Sequence, residues 1–299
     1  MMNTLPSLSE DTPPSPAFRD PGETLVERTD GALRKLEKAL AAQAGPSLIH
    51  EARKSIKEYR ALLRLVKSVE ARQARQAAAA AARTLSATRD RQAARDAIAD
   101  LAGSGLIAPE DGARARDAVG TDEASSDDAT VGIETLKAWL DDARRLHARI
   151  LNDQLRATNL ARALGEAYEK AREAAAWKTP DAMHELRKRV VTHRYQMSFL
   201  ARLHDGTGAN RARRAQRLRD VLGAVQDIEA LRQILEGLSP PLDPALRQRL
   251  AAAGSTRQKQ LVKEARHLHR ILFAHRAKPF VRRVMRLWRA RQDVGASTP

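Results

Sequence analysis

Ile49-His50-Glu51-Ala52-Arg53-Lys54-Ser55-Ile56-Lys57-Glu58-Tyr59-Arg60-Ala61-Leu62-Leu63-Arg64-Leu65-Val66-Lys67 is the stretch whose pattern decides the fold class. Ile49, Ala52, Ile56, Tyr59, Leu63 and Val66 recur at steps of three and four, the repeat of one helix face. His50, Arg53, Lys57, Arg60, Arg64 and Lys67 recur with the same steps, each one position later. A basic stripe therefore runs directly beside an apolar one, over roughly 25 Å at the usual helical rise. Like charges at these spacings destabilise an isolated helix. A multivalent anion offsets that repulsion. The alternative is a solvated basic face whose long stems cover apolar surface.

The rest of the chain supports an all-helical reading. Of 299 residues, 42% are hydrophobic and only 3% aromatic, so the core is aliphatic and alanine-rich. A β-sandwich wants more β-branched and aromatic side chains. The net charge of +16 favours an anionic partner: nucleic acid, polyphosphate or an acidic surface. With no cysteine, disulfides, thiolate metal sites and cysteine nucleophiles are excluded. No apolar run is long enough for a membrane span, and residues 1–20 lack the pattern of a secretory signal. These features agree with a cytoplasmic protein.

Residues 1–24, rich in Pro, Ser and Thr, read as a disordered tail. Helices are expected from about Leu25 to Ala44 and from Ser47 to Glu70, and alanine gives Ala71–Leu101 strong helix propensity. Gly103–Thr130 holds seven acidic residues against two arginines and reads as a long, mobile excursion, with a short helix near Glu110–Val119. Helix resumes from Val131, with breaks, to Trp177. Thr179 caps and Pro180 opens the next helix, to about Leu203. Gly206–Asn210 reads as a turn and residues 211–236 as helix. Ser239–Pro244 is a rigid link. A short helix to Ala253, a longer one to Ala274 and a last one from Pro279 to about Arg291 complete the chain, with 292–299 as a tail.

The second half repeats the first. Pro180 stands four residues before His184, as Pro46 stands four before His50. Met183-His184-Glu185-Leu186-Arg187-Lys188-Arg189 parallels Ile49-His50-Glu51-Ala52-Arg53-Lys54-Ser55, and Arg194 follows its histidine by ten residues, as Arg60 does. Leu222-Gly223-Ala224-Val225-Gln226-Asp227 parallels Leu85-Ser86-Ala87-Thr88-Arg89-Asp90. From histidine to aspartate is 40 residues in the first copy and 43 in the second. Two related helical units facing each other follow from this order, split as 25–177 and 178–291. Lys259, Lys263, Arg266 and Arg270 add a late stripe, and Arg213, Arg214, Arg217 and Arg219 thicken the charge before it. Positive faces pooled in a channel focus potential.

These segments, with Lys263-Glu264-Ala265-Arg266-His267-Leu268, resemble the CHAD family, the conserved histidine α-helical domain, over about residues 25–291. The resemblance implies an all-α fold of two pseudo-symmetric antiparallel helical bundles with a central basic groove or channel. It implies non-catalytic binding of inorganic polyphosphate, in the cytoplasm, with polyphosphate or storage granules as a further location. The expected binding residues are His50, Arg53, Lys54, Lys57, Arg60 and Arg64 in the first half. In the second they are His184, Arg187, Lys188, Arg194, Arg217, Lys259, Lys263 and Arg266. Sulfate or phosphate is expected to substitute for the ligand in a crystal. The chain departs from the family at Glu58 and Val191, where bases are usual, and at Ser86, where glycine is usual.

No catalytic residue, cofactor or metal is expected. A metal-dependent polyphosphate or triphosphate hydrolase needs clustered carboxylates beside the phosphates, and none accompanies the stripes. A nonspecific nucleic-acid binder is allowed by charge, but few aromatics are present for stacking. A histidine beside an apolar face is a packed, hydrogen-bonded residue as readily as an anion contact, so both readings stand for His50 and His184. His267, His269 and His275 do not share a face suited to a metal. His193 and His204 are expected at the surface or its fringe. Asp90 and Asp227 fit a role in orienting arginines. Trp139, Trp177, Trp288, Tyr168, Tyr195 and Phe199 are expected to pack between helices.

Overall fold

The computed structural model describes residues 20–42, 46–84, 90–120, 126–150, 155–203 and 207–296. Eleven α-helices and no strand occur among them: α1 Pro21–Ala41, α2 Pro46–Leu63, α3 Val69–Arg83, α4 Asp90–Gly103, α5 Pro109–Val119, α6 Ser126–Ile150, α7 Ala157–Glu173, α8 Pro180–Leu203, α9 Thr207–Gly237, α10 Pro244–Leu272 and α11 Ala277–Ala296.

Local chemistry sets several boundaries. Asp20 caps α1 by accepting from the Gly22 and Glu23 amides, with Pro21 in the first turn. The helix thus starts four residues before Leu25, where a tail was expected; residues 1–19 lie outside the described residues. Thr179 caps α8 through the Ala182 amide at 3.2 Å, and Asp243 caps α10 through the Leu246 amide at 2.9 Å.

The expected helix over Ser47–Glu70 is two helices. α2 ends at Leu63, the amides of Leu65 and Val66 turn back to Leu62 and Leu63, and the Ser68 hydroxyl accepts from the Ala71 amide to cap α3. The alanine-rich helix expected over Ala71–Leu101 appears as α3 and α4; Leu85–Arg89, the first copy of the later motif, lies outside the described residues.

The mobile excursion over Gly103–Thr130 is replaced in large part by order. Ile107, Ala115 and Val119 are buried, α5 packs on α4, and Arg249 of α10 holds Asp111 by two hydrogen bonds of 2.7 and 2.8 Å. Residues 121–125 are not described. α10 is one helix rather than two: Gly254 lies inside it, where an added Cβ would come within 3.5 Å of Ile228 on α9.

Two apolar cores result. In the first, α1, α2, α3 and α6 close a ring in which each packs on two of the others. Ala71, Ala74, Ala78 and Ala81 form the buried stripe of α3. The same core continues into α7, α8 and α11. The second core joins α4 and α5 to Met183 of α8, the C-terminal half of α9 and the N-terminal half of α10. Packing thus crosses the boundary between residues 177 and 178: α4 and α5 lie against helices from the other side of it.

The six aromatics are buried or half-buried between helices, as expected. His193 overturns the surface expectation. It is 1% exposed, packed against Tyr168, Phe273 and Phe280, and neither ring nitrogen has a hydrogen-bond partner. The sequence hid this because His193 lies one position beyond Thr192 in a helix whose polar face is broad. His204 lies outside the described residues.

Burial pushes the His193 pKa from 6.5 down to about 3, with the Arg211 charge adding to the effect. The unfolded chain therefore binds this proton at a higher pH than the folded one. Stability present above pH 6.5 is lost as pH falls from there toward 3. His193→Leu is expected to flatten the decline over that window. Urea unfolding at stepped pH checks it; an unchanged acid profile would refute the buried neutral ring.

Candidate functional site

α2 lies along α8. The Tyr195 hydroxyl donates to the Lys54 carbonyl at 3.1 Å, and the fully buried Gln196 amide donates to the Ala61 carbonyl at 3.1 Å. Those bonds fix the register of the two stripe-bearing helices. At one end of the seam, the turn after α2 carries Arg64 and Lys67 off the helix and into a cleft of about 110 Å3. Arg75 of α3, Lys170 and Glu166 of α7, and Arg189 of α8 line the same cleft. Arg75 is held there by donating to the Leu63 carbonyl, at the open end of α2, at 2.9 Å.

Five cations and one carboxylate therefore share this lining. Glu166 pairs with Lys67, and that bond holds its carboxyl below the usual range. The arginines crowd one another. Burial lowers the Arg64 pKa first and the Arg189 charge lowers it further, while Glu185 opposes. Arg60 is lowered by burial, then by Arg64 and Arg83. Arg75 is lowered by burial, then by Arg64, Arg72 and Arg60. Each guanidinium stays charged, and its lowered pKa reflects burial first and the neighbouring like charges second.

A second cluster surrounds His184. The Gln226 amide nitrogen donates to its Nδ1 at 2.6 Å, and Arg187 donates to the Gln226 amide oxygen at 2.7 Å. In that arrangement the neutral ring carries its proton on Nε2. Gly223 makes the approach feasible, since a Cβ there would sit 3.3 Å from Arg187 Nη2. Partial burial lowers the His184 pKa, and Lys188 and Arg187 lower it further against the Gln226 bond. The glycine of the Leu-Gly pair thus has a direct purpose, as a seat for the arginine.

The remaining expected residues are spread more widely. His50 is exposed in the second turn of α2, and Arg53 and Lys57 are half-exposed along it. Lys54 pairs with Glu51 at 3.1 Å and Lys188 with Glu185 at 2.6 Å, the same three-residue step in both copies. Arg194 stacks 4.0 Å over the Tyr195 ring. Arg217 pairs with Glu264 at 3.0 Å, tying α9 to α10. Lys259, Lys263 and Arg266 stand exposed on α10, which packs on α9 and α4. They are not among the cleft lining; Arg266 lies 5.8 Å from the Trp177 ring. His269 Nε2 donates to the Ala171 carbonyl at 3.1 Å, and the residue is buried.

Glu58 is 4% exposed and is clamped by Arg28 and by Lys35 at 3.1 Å, both from α1. This buried carboxylate is thus met by two bases from another helix. Sequence reading missed Arg75, Lys170 and Arg189 as cleft residues. Arg189 was visible in the second motif, whereas Arg75 sits in an alanine-rich run with nothing local to mark it.

This is an all-α protein with a cation-crowded seam and, among the described residues, no group of three or more side chains suited to a metal. The chain belongs to the CHAD domain family, whose model matches residues 24–236. CHAD domains are non-catalytic. A solved structure, PptA from Streptomyces chartreusis, shares the fold with a TM-score of 0.56 at 17% identity, covering 85% of this chain and 99% of that one. No curated protein matches the sequence. No helix among the described residues is long and apolar enough to cross a membrane.

Removing the Glu58 carboxylate leaves two cations beside a buried position. Glu58→Ala is expected to destabilise the fold by about 1–3 kcal/mol, discounted from a fully buried pair because Lys35 reaches solvent. Urea unfolding measures it. No loss of stability would mean the clamp is incidental.

Proposed function

We propose that this protein binds inorganic polyphosphate, without catalysis, through the basic residues gathered on α2, α3, α7 and α8. The observation that carries the reading is the gathering of Arg64, Lys67, Arg75, Lys170 and Arg189 around a partly dehydrated cleft with one paired carboxylate, with the Arg60 charge close enough to crowd Arg75. Such crowding costs stability in the free chain and is relieved by a polyanion. Arginine forks grip two oxygens of a phosphate, and lysine adds a mobile point charge. Repeated phosphoryl groups need repeated donors along a path. The stripe from His50 to Lys57 leads toward the cleft, and the His184–Gln226–Arg187 cluster supplies its counterpart on α8 and α9.

The matching Glu51–Lys54 and Glu185–Lys188 pairs support two related bundles facing across the α2–α8 seam, with the basic groove between them. In this reading His50, Arg53, Lys54, Lys57, His184, Arg187, Lys188 and Arg194 extend the path, and Arg217, Lys259, Lys263 and Arg266 form its outer reach. A location at polyphosphate granules belongs to the same reading and is tested by imaging a tagged chain in cells with and without polyphosphate.

Isothermal titration with long-chain polyphosphate over a salt series tests the binding. Affinity is expected to fall linearly in log-log form as salt rises. Combined Arg60→Gln, Arg64→Gln and Arg189→Gln should weaken binding by about tenfold or more. Arg145→Gln, on the exposed face of α6, should leave it unchanged, and helicity should survive in both. Equal displacement by duplex DNA at matched phosphate concentration would reduce the reading to a general charge effect. Absence of binding at moderate ionic strength would end it.

Histidine titration gives an independent check. A phosphate beside His184 favours its charged form, so its pKa should rise from its lowered value when polyphosphate binds. NMR titration with and without the ligand reads the direction directly. A His184 pKa that stays put would remove this residue from the path.

A further inference from the structure

A second and larger cavity, of about 480 Å3, lies between α8, α9 and α11, within the ~300–1,000 Å3 range common for small-molecule sites. It is unlike the first. Exposed Pro279 and half-buried Leu287 give it an apolar side, with Leu200, Phe280 and Val284 buried behind them, and Arg211, Arg283 and Arg286 give it positive charge. No carboxylate is among its lining residues. Most of the wall belongs to α11, beyond the 24–236 span of the family match.

The floor is built around Arg211. Its guanidinium donates to the Leu272 carbonyl at 3.2 Å and lies 5.1 Å over the Phe280 ring and 5.4 Å over the Tyr168 ring. Those two rings stack at 4.6 Å, and the apolar His193 pocket closes the space behind them. Arg211 is thereby fixed in place and half-buried. Arg283 and Arg214 add like charge to it. A rigid, partly dehydrated cation beside the apolar surface of Pro279 and Leu287 suits a ligand with two chemical ends.

We propose that this cavity binds a single-chain amphiphile with one anionic head group. The head sits on Arg211, Arg283 and Arg286, and the hydrocarbon chain runs along Pro279 and Leu287. A guanidinium fork serves a carboxylate or a phosphate head alike. Inorganic phosphate uses none of the wall, and a polyphosphate chain has no apolar part to place there. The inference goes beyond polyphosphate binding and does not depend on it.

The test is calorimetric titration of the full chain with laurate and with dodecyl phosphate, both below the concentrations at which they form micelles. Dodecanol and inorganic phosphate serve as controls. One saturable equivalent is expected for either charged amphiphile, and the two arms tell a carboxylate source from a phosphate source. Dodecanol should bind about tenfold more weakly or worse. The exposed double variant R283Q/R286Q should lose about tenfold in amphiphile affinity. Its polyphosphate affinity should stay within about twofold, as expected for distant sites. Failure of any saturable binding, dodecanol binding as tightly as laurate, or displacement of laurate by polyphosphate would each overturn the proposal.

Discussion

Repulsion among like charges is the constraint around which this molecule is arranged. Arg60, Arg64, Arg75 and Arg189 are brought from three helices and a turn to one end of the α2–α8 seam. They would separate if their backbones were free to do so. They are not, because each is mounted on an element fixed by something else. Gln196 and Tyr195 lock α8 to the α2 carbonyls, the alanine stripe of α3 lies in the first core, and Arg75 is tied to the end of α2. Apolar burial and a few neutral hydrogen bonds thus hold charges where electrostatics alone would not put them.

Glu58 shows the same logic with the sign reversed. On a stripe of bases, a carboxylate 4% exposed would be costly alone. Arg28 and Lys35 compensate it from α1, and in doing so link the first helix to the seam. The local charge at this position is restored from outside the motif.

The all-α class and most helices were legible because the three-and-four repeat of apolar residues is dense in this chain, as in Ile49–Val66. The α2–α3 break was not, since the periodic pattern runs on through it and only the Ser68 cap marks the end. That small error had a large effect on the site. A continuous helix would have kept Arg64 and Lys67 in line with Arg53 and Lys57, whereas the turn aims them into the cleft. Arg75 and Lys170 were illegible for a different reason: their neighbours in space lie far off in sequence. His184 and Arg187 were readable as a motif, but the glutamine that joins them was not, because Gln226 approaches from another helix across Gly223. The α5 helix was legible, but its firm packing was not, because the arginine that anchors Asp111 is on α10.

The sharing of the second core between α4–α5 and α9–α10 has a bearing on how the polypeptide acquires its structure. As the chain leaves the ribosome, α1, α2, α3 and α6 are all available to close their ring before α9 has been made. α4 and α5 by then carry Ile98, Leu101 and Val119 with only each other for cover. Their partners arrive more than a hundred residues later, so completion of this half waits on contacts of long sequence separation, which form slowly. During that interval a nascent chain presents an apolar surface that is absent from the finished molecule, and chaperones have their most natural target there.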